Sequence, residues 1–205
     1  MASEGYFLAG HPALDFVNTL AAPQGVPIDF IPDGSALLQW MLRAELISPA
    51  VARASKRWPV DQLDEIATKA RALRNALRHA LPFQFSEKPP RRLIAMLNRI
   101  LAVSTLYRKI ECCEGHINLL ESWQIENPNQ LLAPIAESIA DLLAHVDPAT
   151  IKSCENESCI LWFVDHTHGR RRRFCSAAIC GNRHKVAEFR ARKKAMQEPD
   201  EQHDD

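Results

Sequence analysis

Four of the six cysteines in this 205-residue chain come as two pairs with one internal spacing: Cys154 with Cys159, then Cys175 with Cys180. Four residues lie inside each pair and fifteen between them. A tetrahedral structural zinc site is delivered in this form, because one tight turn can aim two sulfurs at an ion held at about 2.3 Å. Disulfides are the competing chemistry, and they belong to oxidising compartments. The opening MASEGYFLAGHP lacks the basic start and apolar stretch of a secretory leader. No apolar run approaches the roughly 18–20 residues that span a bilayer. A cytoplasmic chain with no membrane contact is therefore expected, with the quartet binding one structural Zn2+. Four thiolates close the coordination shell to water, which makes the metal a scaffold. Cys112 and Cys113 are adjacent, too close to share one ion comfortably, and read as strand residues facing in and out.

Basic charge coincides with the cysteines. Residues 1–150 carry 14 Lys+Arg against 16 Asp+Glu, residues 151–197 carry 11 against 4, and the last eight residues hold five acids and no Lys or Arg. Segregation of this kind marks interaction segments. ILWFVD (160–165) reads as a strand, HTHG (166–169) as a turn, and RRRRFCS (170–176) as the returning strand. That strand would send Arg170, Arg171, Arg172 and Arg173 to alternate faces. GNRHKVAEFRARKKAM after Cys180 reads as a helix with Val186, Ala187 and Phe189 inward. Its displayed residues would be Arg183, Lys185, Arg190, Arg192, Lys193 and Lys194. Guanidinium forks match phosphate oxygens and guanine edges, so this surface is expected to bind nucleic acid. Asn182, Arg183 and His184 open the helix and are candidates for reading bases, while Asn182 has a second reading as a brace of the zinc turn. Gly181 is expected where backbone approaches sulfur closely. With few apolar residues in the segment, metal is expected to stand in for a core.

The elements that must carry this unit are mostly helical. Helical spacing or capping marks 35–46, 48–58, 60–81, 91–104 and 129–146, with Ser35 and Ser48 as caps and Pro134 either in a first turn or kinking its helix. A short hairpin is expected around the EG of TLYRKIECCEGHINLLESWQIE, and a loop at 82–90. LAGHPALDFVNTL (8–20) places Asp15, Asn18 and Thr19 among apolar residues. These three either form an internal polar network or line a site for a small-molecule effector. Four histidines of the body (His11, His79, His116 and His145) share no spacing, and no phosphate loop or hydrolase motif appears. A metal-dependent nuclease could draw only on Asp165, His166, His168 and His184.

CGNRHK completes a pattern that resembles the CGNR zinc-finger family. The resemblance places the family's four cysteines at Cys154, Cys159, Cys175 and Cys180, and its strand aspartate at Asp165. Its Arg-rich approach falls at Arg171 to Arg173, and its tetrad at Cys180, Gly181, Asn182 and Arg183. GHPALDFVNTL resembles the opening of the ABATE domain, which commonly precedes that finger. Together these likenesses imply a stress-response, DNA-binding regulator of transcription. Phe174 stands where that family often has Trp, Thr167 where Ser is usual, and an Arg that often follows the N-terminal motif is missing from AAPQG. The expected fold class is mainly α: a helical domain with a small β-hairpin (1–150), a treble-clef-like zinc finger of hairpin and helix (151–197), and an acidic disordered tail (198–205). The helical part would serve as sensor or homodimerisation domain. The expected function is DNA binding and not catalysis. The alternative is a zinc-scaffolded adaptor for RNA or an acidic protein.

Overall fold

Residues 12–17 turn into a short helix, α1 (Pro12–Val17), because His11 caps it and Pro12 is pre-set for a first turn. The computed structural model describes residues 5–23, 25–83, 89–113 and 115–195. The acidic tail, the Lys194 side chain and most of the expected 82–90 loop lie outside the described residues. After α1 come two short antiparallel strands, β1 (Leu20–Ala21) and β2 (Ile28–Asp29).

Helix α2 (Gly34–Arg43) begins one residue before the expected start, and its cap is Asp33 rather than Ser35. The Asp33 carboxylate accepts from the Ala36 N–H at 2.8 Å. Helix α3 (Pro49–Ser55) has the expected cap, Ser48, whose hydroxyl accepts from the Val51 N–H. Helix α4 (Val60–Ala80) is the spine. Leu63, Ile66, Ala67, Ala70, Leu73 and Leu77 follow its three-to-four spacing and are all buried. Arg74 lies on the same stripe at 2% exposure. Its guanidinium donates twice to the Asp29 carboxylate, at 2.8 and 2.7 Å, and once to Thr19 Oγ1 at 2.9 Å. Burial acts to raise the Asp29 carboxyl's pKa, but its bonds to Arg74 and the Ile31 N–H carry it below the usual range.

Helix α5 (Arg91–Leu101) buries Leu93 and Leu97. The chain then forms a ribbon, β3 (Thr105–Cys113) with β4 (His116–Gln124), closed by Gly115 at φ +81°. The expected short hairpin is in fact nine residue pairs long, from Thr105↔Gln124 to Cys113↔His116. Cys112 is exposed on it. A 3₁₀ turn leads into α6 (Ala133–His145), and of the two expected places for Pro134 it takes the first turn instead of kinking the helix. The α6 side chain Asp141 joins His11 at 3.0 Å and His145 at 2.8 Å, which occupies two of the body's histidines.

Strands β5 (Ile151–Ser153) and β6 (Trp162–Val164) form an antiparallel pair, and α7 (Asn182–Ala195) is the last described element. The hairpin of the finger is thus present with a different partner strand. Residues 170–176 are irregular, because Arg170 sits at φ +48° and Asp165 gathers the loop instead of letting it pair. Ile151, Leu161, Phe163 and Val164 are buried in the same cluster as α1 and α4. The segment therefore borrows a core rather than relying on metal alone. Among the described residues no helix is long and apolar enough to cross a membrane.

Candidate metal centre and the basic surface around it

The first cysteine pair occupies the connection between β5 and β6. The Cys154 N–H donates to Leu161 O (2.9 Å) and the Cys159 N–H to Asn156 O (2.8 Å), folding the connection into a tight knuckle. Asn156 braces it by accepting from the N–H and the hydroxyl of Ser158. In the second pair Cys175 precedes a π-helical turn, Ala177–Gly181, and Cys180 lies within it. Ser176 caps that turn through the Ile179 N–H, and the Ser176 carbonyl accepts from the Cys180 N–H at 3.1 Å.

All four sulfurs lie within 4.8 Å of one another, and Cys154, Cys175 and Cys180 are buried. Cys175 Sγ is 3.8 Å from Cys159 Sγ and 3.6 Å from Cys180 Sγ. A tetrahedron with sulfurs about 2.3 Å from its centre has edges of about 3.8 Å, whereas a disulfide closes to about 2.0 Å. These two edges match the tetrahedron. The Cys175 N–H points at Cys154 Sγ (3.4 Å), an outer-sphere donor of the kind that steadies a thiolate.

Charge makes the same point. Donation from the Cys159 and Cys175 thiols and the Cys175 N–H lowers the Cys154 pKa to about 2, so one thiolate is favoured. The other three shift up: Cys159 and Cys175 because their protons serve Cys154, and Cys180 to about 12 chiefly through burial. Four thiolates this close need a cation between them. An all-sulfur tetrahedral donor set suits zinc, and the centre is one structural zinc site.

Asp165 and Arg172 lock the loop between the pairs. Buried Asp165 accepts from Lys152 Nζ (2.8 Å), the Thr167 N–H (3.0 Å), Thr167 Oγ1 (2.6 Å) and the Arg172 N–H (2.9 Å). Burial acts to raise its pKa, but these donors hold the carboxyl far below the usual range. Spent in this way, it is no free ligand for a second metal. Arg172 donates to Phe174 O, Leu8 O and Cys175 O and lies 4.2 Å from the Phe163 ring centre. These bonds make it a tie between knuckle, loop and N-terminal segment. Arg170 pairs with Asp147 (2.8 Å), and Arg173 with Glu155 (2.5 Å). Arg183 donates to Pro23 O at 2.7 Å, which turns this expected base reader toward the helical body.

Asn18 fastens the finger to α1. Its Nδ2 donates to Trp162 O (2.8 Å) and its Oδ1 accepts from the Trp162 N–H (2.9 Å), so the carboxamide serves β6 as a neighbouring strand would. Arg78 reaches Ile160 O, Val17 O and Leu20 O, and the Val164 N–H donates to Ala9 O (2.7 Å). Asp15 accepts from the Leu8 and Ala9 N–H groups, and Thr19 bonds Phe16 O and Arg74. Of the two readings of Asp15, Asn18 and Thr19, the internal network accounts for all three. Neither the tie at Asn18 nor the buried Arg74 left a sequence signal beyond polar residues in apolar company.

Arg171, Lys185, Arg190, Arg192 and Lys193 are exposed and enter no ion pair among the described residues. The Asn182 side chain is exposed and makes no hydrogen bond there, so it does not brace the zinc turn. Val186 and Phe189 are 41% and 65% exposed. The expectation that they face inward fails because, among the described residues, the helix beyond His184 has nothing to pack on. Gly181 is not sterically required, since a Cβ there would meet only ordinary contacts at 3.7 Å or more.

Two family models match the chain. ABATE, described as "Putative stress-induced transcription regulator", matches residues 10–146, and the CGNR zinc finger matches residues 150–193. No curated protein matches it.

Proposed function

The chain belongs to the ABATE family and carries that family's regulator domain ahead of a CGNR zinc finger, and on this premise we propose that it regulates transcription by binding DNA through the finger. One observation carries the reading. Five cations that have no acidic partner among the described residues, Arg171, Lys185, Arg190, Arg192 and Lys193, project from a unit held by the metal centre and by Asn18. Phosphate contacts from these groups supply affinity, and Asn182, exposed at the start of α7, is the candidate for reading a base edge. The helical body then acts as the platform that a signal adjusts, with residues 151–197 as the reader. Neither matched family is an enzyme family.

Fluorescence anisotropy of zinc-loaded protein on duplex DNA tests this. Five phosphate contacts give a log–log salt slope of about −4.5 per finger, and Lys185→Ala or Arg190→Ala lowers its magnitude by about 0.9. Affinity that ignores salt would defeat the proposal. Exposed Val186 and Phe189 favour a second reading, in which the basic helix receives an acidic, partly apolar protein surface. Tighter binding of an acidic polypeptide than of duplex DNA at matched salt would select it.

A further inference from the structure

The β3–β4 ribbon has an unusual outer face. In its register Ile110 lies opposite Leu119, Cys112 opposite Ile117, Arg108 opposite Glu121 and Leu106 opposite Trp123, and these eight residues share one side. Ile110 is 72% exposed, Ile117 78% and Leu119 63%, so its outer half is bare apolar surface. The opposite side, through Lys109, Glu111, Leu120 and Ser122, overlooks the cleft formed with α2 and α3, which Glu121 and Trp123 also line; the outer face clear of that cleft is the half with Ile110, Ile117 and Leu119. We infer that this outer face is a homodimer interface, in which the ribbon of a second copy packs face to face on Ile110, Ile117 and Leu119.

Three features select a second copy as the occupant. The first is area. With Leu106, which lies beyond the Arg108–Glu121 pair, the exposed apolar residues present on the order of 500 Å², the size of the largest, often functional, patches on a monomer. A standard interface takes about 800 Å² from each partner and is somewhat over half apolar, so the patch equals the apolar part of one isologous interface. The second is charge. Arg108 and Glu121, the two ionic groups of the face, neutralise each other at 3.0 Å, so the patch meets its own copy without like-charge repulsion. The third is the edges. Arg108, Lys109, Glu111 and Glu121 line both strands, the charged pattern that discourages edge-to-edge extension and leaves the face as the surface to cover.

Sedimentation equilibrium on the full-length, zinc-loaded chain decides the matter. Concentrations from about 1 to 100 µM bracket a micromolar Kd. Wild-type protein is expected at twice the 23.1 kDa chain mass. The Ile110→Thr/Ile117→Thr double variant keeps β-branched residues suited to a strand, and should raise the dimer Kd at least about tenfold with unchanged circular dichroism. Ile117→Lys should leave a monomer; if it fails to fold, the threonine variant decides alone. A wild-type monomer throughout the range overturns the inference. So does a dimer that the threonine variant leaves intact, or a monomer that gains mass only from another protein.

Discussion

At the scale of single residues, four consecutive arginines have three different fates. Arg170 and Arg173 are held by carboxylates, Arg172 is a structural tie, and Arg171 is exposed with no ion pair among the described residues. Arg172→Ala removes several charge-assisted bonds to backbone carbonyls and should cost about 2–4 kcal/mol in chemical denaturation while speeding zinc release to a chromogenic chelator. Arg171→Ala should leave both unchanged and weaken DNA binding alone; equal effects of the two changes on stability would contradict the geometry. Asp165 adds a dependence on pH. Its carboxyl is held below its ordinary value near 3.9, so its stabilisation is complete above that value and is lost as acidity carries it toward the lower folded value. The gap in Tm between wild type and Asp165→Asn should be widest near neutrality and shrink below about pH 4. A gap constant from pH 7 to 3 would show that the charge is not what holds the loop.

At the scale of elements, legibility followed the length of the repeating signal. Helix α4 offers six buried apolar positions at helical spacing, and Ser48 with Pro49 marks the start of α3, so both could be read directly. The cysteine quartet was legible because ligand spacing is local. Strand β5 was not, since three residues contain no period and its pairing with β6 is imposed by the knuckle between them. The return strand at 170–176 fails for a related reason: a run of arginines looks the same extended or coiled, and the left-handed turn at Arg170 follows from Asp165, a partner outside the run. Glycines separate the same way. A Cβ at Gly34 would stand 2.4 Å from Leu63 Cβ and 2.5 Å from its backbone carbon, and neither can yield without parting α2 from α4. Gly34→Ala is therefore expected to cost about 1–3 kcal/mol in denaturant unfolding. Gly181→Ala, despite its place beside a ligand, should shift stability by less than about 1 kcal/mol. A reversed ranking would mean that the π-turn, and not the α2–α4 contact, is the tight place.

At the scale of the whole molecule, reading and pairing are assigned to separate parts. The metal centre fixes the loop that carries Arg171 and the start of α7, while the ribbon's most extensive contacts are those between its own two strands. Chelating zinc should therefore abolish DNA binding and leave the mass in sedimentation at the dimer value, because Ile110, Ile117 and Leu119 depend on no sulfur. The two proposals also meet in one number. A monomer presenting five cations gives a salt slope of about −4.5, and a dimer that lays both fingers on one duplex releases twice the counterions, for about −9. The Ile110→Thr/Ile117→Thr variant, with both its finger and its metal untouched, should fall from the higher value to the lower when duplex is titrated at increasing salt. Equal slopes for wild type and variant would mean that a single finger engages the duplex, whatever mass the protein shows in solution.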